Sequence, residues 1–379
     1  MNKLLFFLII IALFARCSSK KDSIIIAKSD LVKISVINTS NSFWEYTLLK
    51  TNKTFSIQAP EFEIDGKLCS AVLTSVKLLE NPLKLKNGVT ETTFEGNLQE
   101  LPDVALRVTF QVSDKNPILK FRYELFSESE HRLTKTTGKD QINYFSVSFN
   151  GISTIKEIRF SEFNEMVHSF CLSEREIEPK HFSNSSAFMG PLLIGSDGSN
   201  SFLIGYEHGS QVPDRFLEFR LNPDRSVVLQ AVKGNYYNNY RINKTQSYRT
   251  IWFEAGAVAG DENLLAATYR DFVLHYMSPN PESRKPYIFY NTWNFQERNR
   301  NWYKKPYLAD MTLERMLMEI DVAHQMGIEV FVIDAGWFEK TGDWTPSLKR
   351  FPDGLKMVKS KLDGYGMKLG LWFDPNAAA

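Results

Sequence analysis

Cysteine is scarce in this chain, with only three in 379 residues, at positions 17, 69 and 171. Together with six scattered histidines they give no Cys/His set with zinc spacing, so no metal site is expected. A lone histidine such as His208 or His324 reads as a structural residue. Cys69 and Cys171 are expected as two buried, unpaired thiols, with a disulfide between them as the alternative. Charge of one sign is missing too. Lysine plus arginine number 45 against 44 aspartate plus glutamate, a net charge of +1. The basic pairs Lys20-Lys21 and Lys304-Lys305 extend no further, which argues against nucleic acid as a main partner. No internal repeat or low-complexity tract is present. The apolar run Leu4 to Phe14 falls short of the roughly 20 residues needed to cross a bilayer.

That run has a purpose of its own. Lys3, the apolar stretch, then Cys17 and the polar tether Ser18-Ser19-Lys20-Lys21-Asp22-Ser23 resemble a bacterial lipoprotein signal, with Cys17 acylated after cleavage. Arg16 departs from that pattern, which normally has a small residue before the cysteine. An ordinary secretory signal and an uncleaved anchor are the alternatives. Residues 1–23 are therefore read as signal and tether. The expected destination is the periplasm or the outer-membrane or cell surface of a bacterium, with the membrane touched through lipid alone.

The hydrophobic fraction of 43% fits a folded soluble protein, and the 13% of aromatic residues suits carbohydrate contact or a large β-sandwich core. From about Ile24 to Glu254 the pattern has period two. Val104, Leu106, Val108, Phe110 and Val112 alternate with polar or small residues. A turn at Asp114-Lys115-Asn116-Pro117 follows, and Leu119, Phe121, Tyr123 and Leu125 resume the alternation, which predicts a hairpin with one buried face. Turn dipeptides recur at Asp65-Gly66, Asn87-Gly88, Asn150-Gly151, Asp197-Gly198 and Asn222-Pro223. Many short strands between such turns predict an antiparallel β-sandwich. Tyr236, Tyr237 and Tyr240 are read as its core or interface. The period then changes. Leu264, Leu265, Tyr269, Phe272 and Tyr276 share a helical face, with Asp261 as cap. The sandwich with this terminal helix is assigned to 24–277, and the proline-rich 278–285 is a linker.

From residue 286 onward strand and helix alternate. Tyr287–Tyr290, Ile328–Ile333 and Met367–Phe373 read as apolar strands. One helix is capped by Thr312, carries Leu313, Leu317, Ile320 and His324 on one face, and ends at Gly327. A second has Leu355, Val358 and Leu362 and closes at Gly364. This order implies a parallel sheet with right-handed crossovers. The connections from about 291 to 311 and from about 335 to 352 are long, and structureless loops of that length are usually functional. Trp293, Trp302, Trp337, Trp344 and Trp372 all lie in these connections or at strand ends, which favours an aromatic-lined pocket. Trp302 and Trp337 are weighed as loop anchors. Two strands end in a carboxylate near a tryptophan, Asp334 and Asp374. In a (β/α)₈ barrel the C-terminal strand ends form the active site. A carboxylate beside an indole suits a sugar, because the acid takes hydroxyl hydrogen bonds and the ring stacks on the sugar's C–H face.

These blocks resemble the opening of the catalytic barrel of glycoside hydrolase family 36, the α-galactosidases or melibiases. Asn291-Thr292-Trp293 is similar to the end of the family's first strand. Phe331 to Phe338, Gly342-Asp343-Trp344 and Phe351-Pro352-Asp353-Gly354-Leu355 are similar to the second strand and its loop. Gly366 to Pro375 is similar to the third. The resemblance implies an N-terminal β-supersandwich followed by the first part of a (β/α)₈ barrel over 286–379. It implies that Asp334 hydrogen-bonds the sugar while Trp293 and Trp372 wall its pocket; Asp374, Asp343 and Trp344 are further substrate-binding candidates by position, with turn-fixing or loop-shaping as their alternative roles. It implies no cofactor. The family's nucleophile and acid/base lie at the ends of strands four and six, so no catalytic residue is assigned here and both are expected beyond Ala379. Two departures bear on the sugar: Ala335 replaces a second acid, and Asp374-Pro375-Asn376 replaces Glu-Pro-Glu. The expected function is that of a retaining α-galactosidase acting on oligosaccharides or other glycosides. An α-N-acetylgalactosaminide hydrolase and a non-catalytic carbohydrate-binding surface lipoprotein are the alternatives, and an oligomer is left open.

Overall fold

Strict alternation organises the first half of the chain. Val89–Leu98 (β1), Val104–Ser113 (β2) and Leu119–Ser127 (β3) pair antiparallel in sequence order, and every second residue of β3 from Leu119 is buried. The computed structural model describes residues 23–37, 43–85, 87–136, 142–164, 166–207, 209, 216–232, 239–278 and 280–374. Two compact units result, Met1–Pro279 and Asn280–Ala379. Cys17, His208, Tyr236, Tyr237, Pro375 and Asn376 lie outside the described residues. Among the described residues no helix is long and apolar enough to cross a membrane.

The first unit is a sandwich of two antiparallel sheets. One sheet runs through Ser23–Lys28, Val32–Ile37, Phe43–Leu48, Lys53–Gln58, Ile142–Ser148, Ser226–Ala231, Leu217–Leu221 and Ala187–Phe188. The other runs through β1, β2, β3, Phe253–Val258 (β4), Ser201–Tyr206, Leu192–Ser196, Thr154–Asn164 and Ser169–Glu176. Lys67–Leu78 belongs to both, pairing over Lys67 to Ser70 with Glu61–Ile64 and from Ala71 onward with β1, with a register shift between Val72 and Lys77 inside the second pairing. Such a shift bends the strand locally and increases its twist. The turn dipeptides sit where the sequence puts them. Gly66, Gly88, Gly151 and Gly198 all have φ near +80°, a left-handed backbone that glycine adopts without cost.

Aromatic side chains join the two sheets. Trp44, from the first, meets Phe110 and Phe121, from the second, edge to face at 4.8 Å each. Pairs of this geometry add about 0.5–1.5 kcal/mol beyond their buried area. Tyr46 hydrogen-bonds across as well: its hydroxyl donates to Pro117 O at 2.9 Å and accepts from Ala257 N at 3.1 Å. Cys69 is fully buried, but Cys171 is only half-buried. The expectation of two buried thiols fails at Cys171 because the strand Ser169–Glu176 lies at a sheet edge and is largely exposed along its length. Tyr240 packs against the sandwich core and donates its hydroxyl to Ser247 O.

Asp261 caps the helix Glu262–Phe272 (α1), accepting from Leu264 N at 3.0 Å. Its buried face is Leu265 and Phe272, whereas Leu264, expected on that face, is exposed.

The second unit holds a three-stranded parallel sheet among the described residues: Phe289–Asn291 (β5), Val330–Ile333 (β6) and Lys368–Leu371 (β7), with β6 in the centre. The strands are shorter than the sequence suggests, and Tyr287, Ile288 and Phe289 are exposed. The connection after β5 is not a loop, since it contains the helix Trp293–Asn301 (α2), which buries Phe295, Gln296 and Asn299. Its polar composition masked it. Leu313–Gln325 (α3) is capped by Thr312, which accepts from Arg315 N, and Gly327 follows it at φ +76°. The buried stripe of α3 is Met316, Ile320 and Ala323, one residue away from the expected Leu317 and His324. Both stripes satisfy helical spacing, and the sheet selects one. His324 instead stacks outside on Tyr365 at 4.0 Å. In Lys356–Gly364 (α4), Val358 and Leu362 are buried, and Gly364 is the last helical residue. The left-handed turn falls at Gly366 rather than at Gly364.

Glu254 on β4 faces Lys120 in register and is 1% exposed. Burial pushes its carboxyl up to about 8, the charge of Glu207 adds to this, and the Tyr269 hydroxyl and Lys120 oppose it. An unfolded glutamate titrates near 4.3. Because the folded value is raised, the stability contributed by the neutral form is complete below the unfolded value and is lost as pH rises through the folded one. Glu254→Gln, neutral throughout, is therefore expected to gain in melting temperature over the wild type as pH increases from about 5 to about 9. Thermal melts across that range check this, and a pH-independent difference contradicts it.

Candidate active site

The parallel ladder places Asp334 one residue beyond the central strand β6. Its neighbours extend the ladder on both sides: Thr292 N donates to Val332 O at 3.1 Å and Trp372 N to Ile333 O at 3.0 Å. The buried Thr292 hydroxyl takes the Asp334 N–H at 2.8 Å. Asn291, ending β5, bonds in two directions. Its Nδ2 donates to Asp334 Oδ2 at 2.9 Å, while its Oδ1 accepts the Trp293 N–H at 2.7 Å and so starts α2. Ala335 N donates to Asp334 Oδ1 at 2.7 Å, and Gln296 Nε2 holds Ala335 O at 3.1 Å.

Asp334 is 7% exposed, yet no lysine, arginine or histidine pairs with it among the described residues. Each oxygen accepts one hydrogen bond and keeps capacity for another. Burying a carboxylate without a counter-charge costs several kcal/mol and is rare in purely structural roles. Donor-supplied, unneutralised and at a barrel-type strand end, it is suited to receive hydroxyl hydrogens.

Aromatic residues surround the same end of the sheet, in two groups. Trp293 is half-buried, and its ring meets Tyr307 at 6.3 Å. Burial, and then the charge of Asp334, push the Tyr307 hydroxyl above the usual tyrosine range, which places Tyr307 within electrostatic reach of the carboxylate. Trp372 is 37% exposed at the end of β7. Its carbonyl accepts the Trp337 indole N–H at 2.9 Å. Trp337 is 2% exposed and belongs to the core of this unit, with Trp344 stacked on it at 6.3 Å and set edgewise to Trp372 at 6.4 Å. Placement in a connection does not therefore put every tryptophan in an open pocket. The loop folds back over the sheet end, so Trp337 anchors it and Trp344 packs against the anchor. Phe373 completes this cluster, 5.1 Å from Trp337 and 5.2 Å from Trp344.

The remaining candidates are more peripheral. Asp343 is exposed and accepts from Thr345 N at 3.1 Å and Thr345 Oγ1 at 3.3 Å, which shapes the loop. Asp374 is half-buried after Phe373. Trp302 is 76% exposed. It lines a cleft of about 560 Å³ with Asn294, Arg298 and Glu319, which includes none of Asp334, Trp293 or Trp372. Among the described residues no group of three or more His, Cys, Asp or Glu is placed to hold a metal. Sequence reasoning missed Tyr307, which belongs to no motif, and the holding role of Asn291 and Thr292, whose signal was their position at a strand end.

Residues 258–379 match the family model described as Melibiase. α-Galactosidase 1 of Pediococcus pentosaceus is 38% identical over 203 residues, covering 50% of this chain and 26% of that protein. The α-galactosidase of Escherichia coli is 28% identical over 141 residues, covering 35% of this chain and 18% of that protein. The fold resembles the crystal structure of the glycoside hydrolase family 36 α-galactosidase AgaA from Geobacillus stearothermophilus, with a TM-score of 0.62 at 9% identity over 94% of this chain and 57% of that one. AgaB from the same organism gives 0.63 at 11% identity, over 95% and 56%. In each case the match spans less than two thirds of the relative. The architecture is thus an N-terminal β-supersandwich followed by the first part of a (β/α)₈ barrel.

The turn after Asp334 depends on Gly336. Its φ is +102°, and a Cβ there would lie 2.9 Å from both Leu308 and Met311. Gly336→Ala is expected to cost about 1–3 kcal/mol of stability and to disturb the loop carrying Trp337. Denaturant unfolding checks the magnitude, and an unchanged midpoint contradicts the assignment.

Proposed function

We propose that this chain, whose residues 258–379 match the Melibiase family model, recognises the terminal galactose of α-galactosides as part of a retaining α-galactosidase. The observation that carries this reading is Asp334: a buried carboxylate with no cation beside it, held by Asn291 and Ala335 at the C-terminal end of a parallel strand. Variants of AgaA from Geobacillus stearothermophilus have been crystallised with raffinose, with stachyose and with 1-deoxygalactonojirimycin. The first two are α-galactosyl oligosaccharides and the third is a galactose mimic, which supports the same substrate class here.

In this reading Asp334 accepts hydrogen bonds from two sugar hydroxyls, Trp293 and Trp372 face the ring, and Tyr307 closes the Trp293 side. Asp374, Asp343 and Trp344 supply outer contacts or hold the loop. A retaining mechanism needs two carboxyls about 5–5.5 Å apart across the glycosidic bond. Neither role is assigned to Asp334 or Asp374, both of which serve recognition. Hydrogen bonds to a charged group are worth about 1.5–3 kcal/mol. Asp334→Asn in the full-length protein is therefore expected to lower kcat/KM for aryl α-galactosides roughly ten- to a hundredfold or more with unchanged folding. Trp372→Ala should chiefly raise KM. An Asp334→Asn enzyme with wild-type kcat/KM would sink this reading.

We also propose export with lipid attachment at Cys17, on the strength of the charged start, the short apolar run and the polar tether. Mass spectrometry of the mature N-terminus is expected to show a diacylglyceryl cysteine. A mature chain that begins at Met1 would refute it.

A further inference from the structure

The outer face of the sandwich sheet formed by β1, β2 and β3 carries three transverse rows of polar side chains. In the first, Gln111 Nε2 donates to Glu91 Oε2 at 2.7 Å, and Lys120 pairs with Glu207 at 3.1 Å. In the third, Arg107 pairs with Glu95 at 2.9 Å, and Arg249 with Glu124 at 3.2 Å. The middle row differs. Thr93 and Thr109 share a hydroxyl hydrogen bond at 3.0 Å, and Arg122, opposite Thr109 in register, makes no hydrogen bond or ion pair among the described residues. Its guanidinium lies 4.2 Å over the ring of Trp252, which fixes the plane and leaves the N–H donors unused. Burial and then the nearby Arg249 hold the group below the usual arginine range, while Glu91 and Glu124 oppose this at longer range without a direct ion pair.

The segment carrying Glu80 and Asn81 overhangs this row and closes a cleft of about 230 Å³ floored by Thr93, Thr109 and Arg122. That is smaller than the roughly 300–1,000 Å³ of pockets for drug-sized ligands, so it suits one ring rather than a chain. Three arginines, Arg107, Arg122 and Arg249, face three acids, Glu80, Glu91 and Glu124, around the cleft. An electroneutral lining disfavours a strongly charged ligand. A mixture of fixed donors, acid oxygens and threonine hydroxyls instead matches a neutral molecule with many hydroxyls.

We propose that this cleft is a second carbohydrate site, on the sandwich and separate from Asp334, which takes a single neutral sugar ring with its hydroxyls on Arg122. With Trp252 covered by Arg122 and Lys120, no bare aromatic platform is offered, and binding is weak, in the millimolar range. Such a site gives an oligosaccharide a hold on the protein without catalysis.

Ligand-observed NMR titration of raffinose against the full chain carrying Asp334→Asn reads this site with the strand-end one weakened. Saturable binding is expected, weakened roughly tenfold or more by Arg122→Gln. Should Arg122→Gln melt early, Asn81→Trp fills the cleft from its exposed rim and is expected to abolish the same binding. Absence of saturable binding, persistence of binding with Asn81→Trp, an equal affinity in folded Arg122→Gln, or a preference for inorganic sulfate over raffinose would each overturn the proposal.

Discussion

The second unit depends on burying one carboxyl group with neutral donors alone around it. Asp334 sits where three parallel strands end, and only neutral donors hold it: an asparagine amide from one neighbouring strand and the backbone of its own turn. A lysine or arginine in their place would neutralise the carboxyl group and occupy the acceptor positions that a ligand needs. Much of the surrounding sequence follows from this constraint. Thr292 fixes the backbone on one side, and Trp372 extends the ladder on the other. Gly336 permits the sharp turn that follows. Trp337 buries its ring and ties its indole N–H to Trp372, so the loop and the third strand end are positioned together.

The sandwich solves a different problem. Its inner faces are joined by aromatic contacts around Trp44 and by the Tyr46 hydroxyl, which bridges backbone from separate segments. Polar groups buried in its second sheet are costly: Glu254 is pushed towards its neutral form because its environment cannot solvate a charge beside Glu207. On the outer face charges are paired row by row, which makes the unpaired Arg122 conspicuous. In both units a buried or half-buried charged-type side chain without a direct ion-pair partner is the one with capacity left for a ligand.

Much of this was legible in the sequence because it rests on local rules. Period-two alternation located β2 and β3, Asp261 and Thr312 announced their helices, and the apolar runs that end at Asp334 and Trp372 located two strand ends. What stayed hidden depends on tertiary choice. The helix Trp293–Asn301 begins because Asn291 accepts the Trp293 N–H while reaching Asp334, a contact between distant residues. Met316 rather than Leu317 faces the sheet, although both are apolar at compatible spacing. Trp344 reads as a substrate-binding residue from its place in a connection, yet the loop folds inward and packs it on Trp337, which takes the anchoring role weighed for it. Tyr307 and Arg122 carry no motif, and only the fold shows what lies beside them.

Recognition at Asp334 is tested most directly by a crystal structure of the full-length protein with 1-deoxygalactonojirimycin. The carboxylate is expected roughly 2.6–3.2 Å from two ligand hydroxyls, with Trp293 and Trp372 against the ring. A ligand seated instead in the cleft lined by Arg298 and Trp302, with Asp334 bonded only to protein groups, would contradict it.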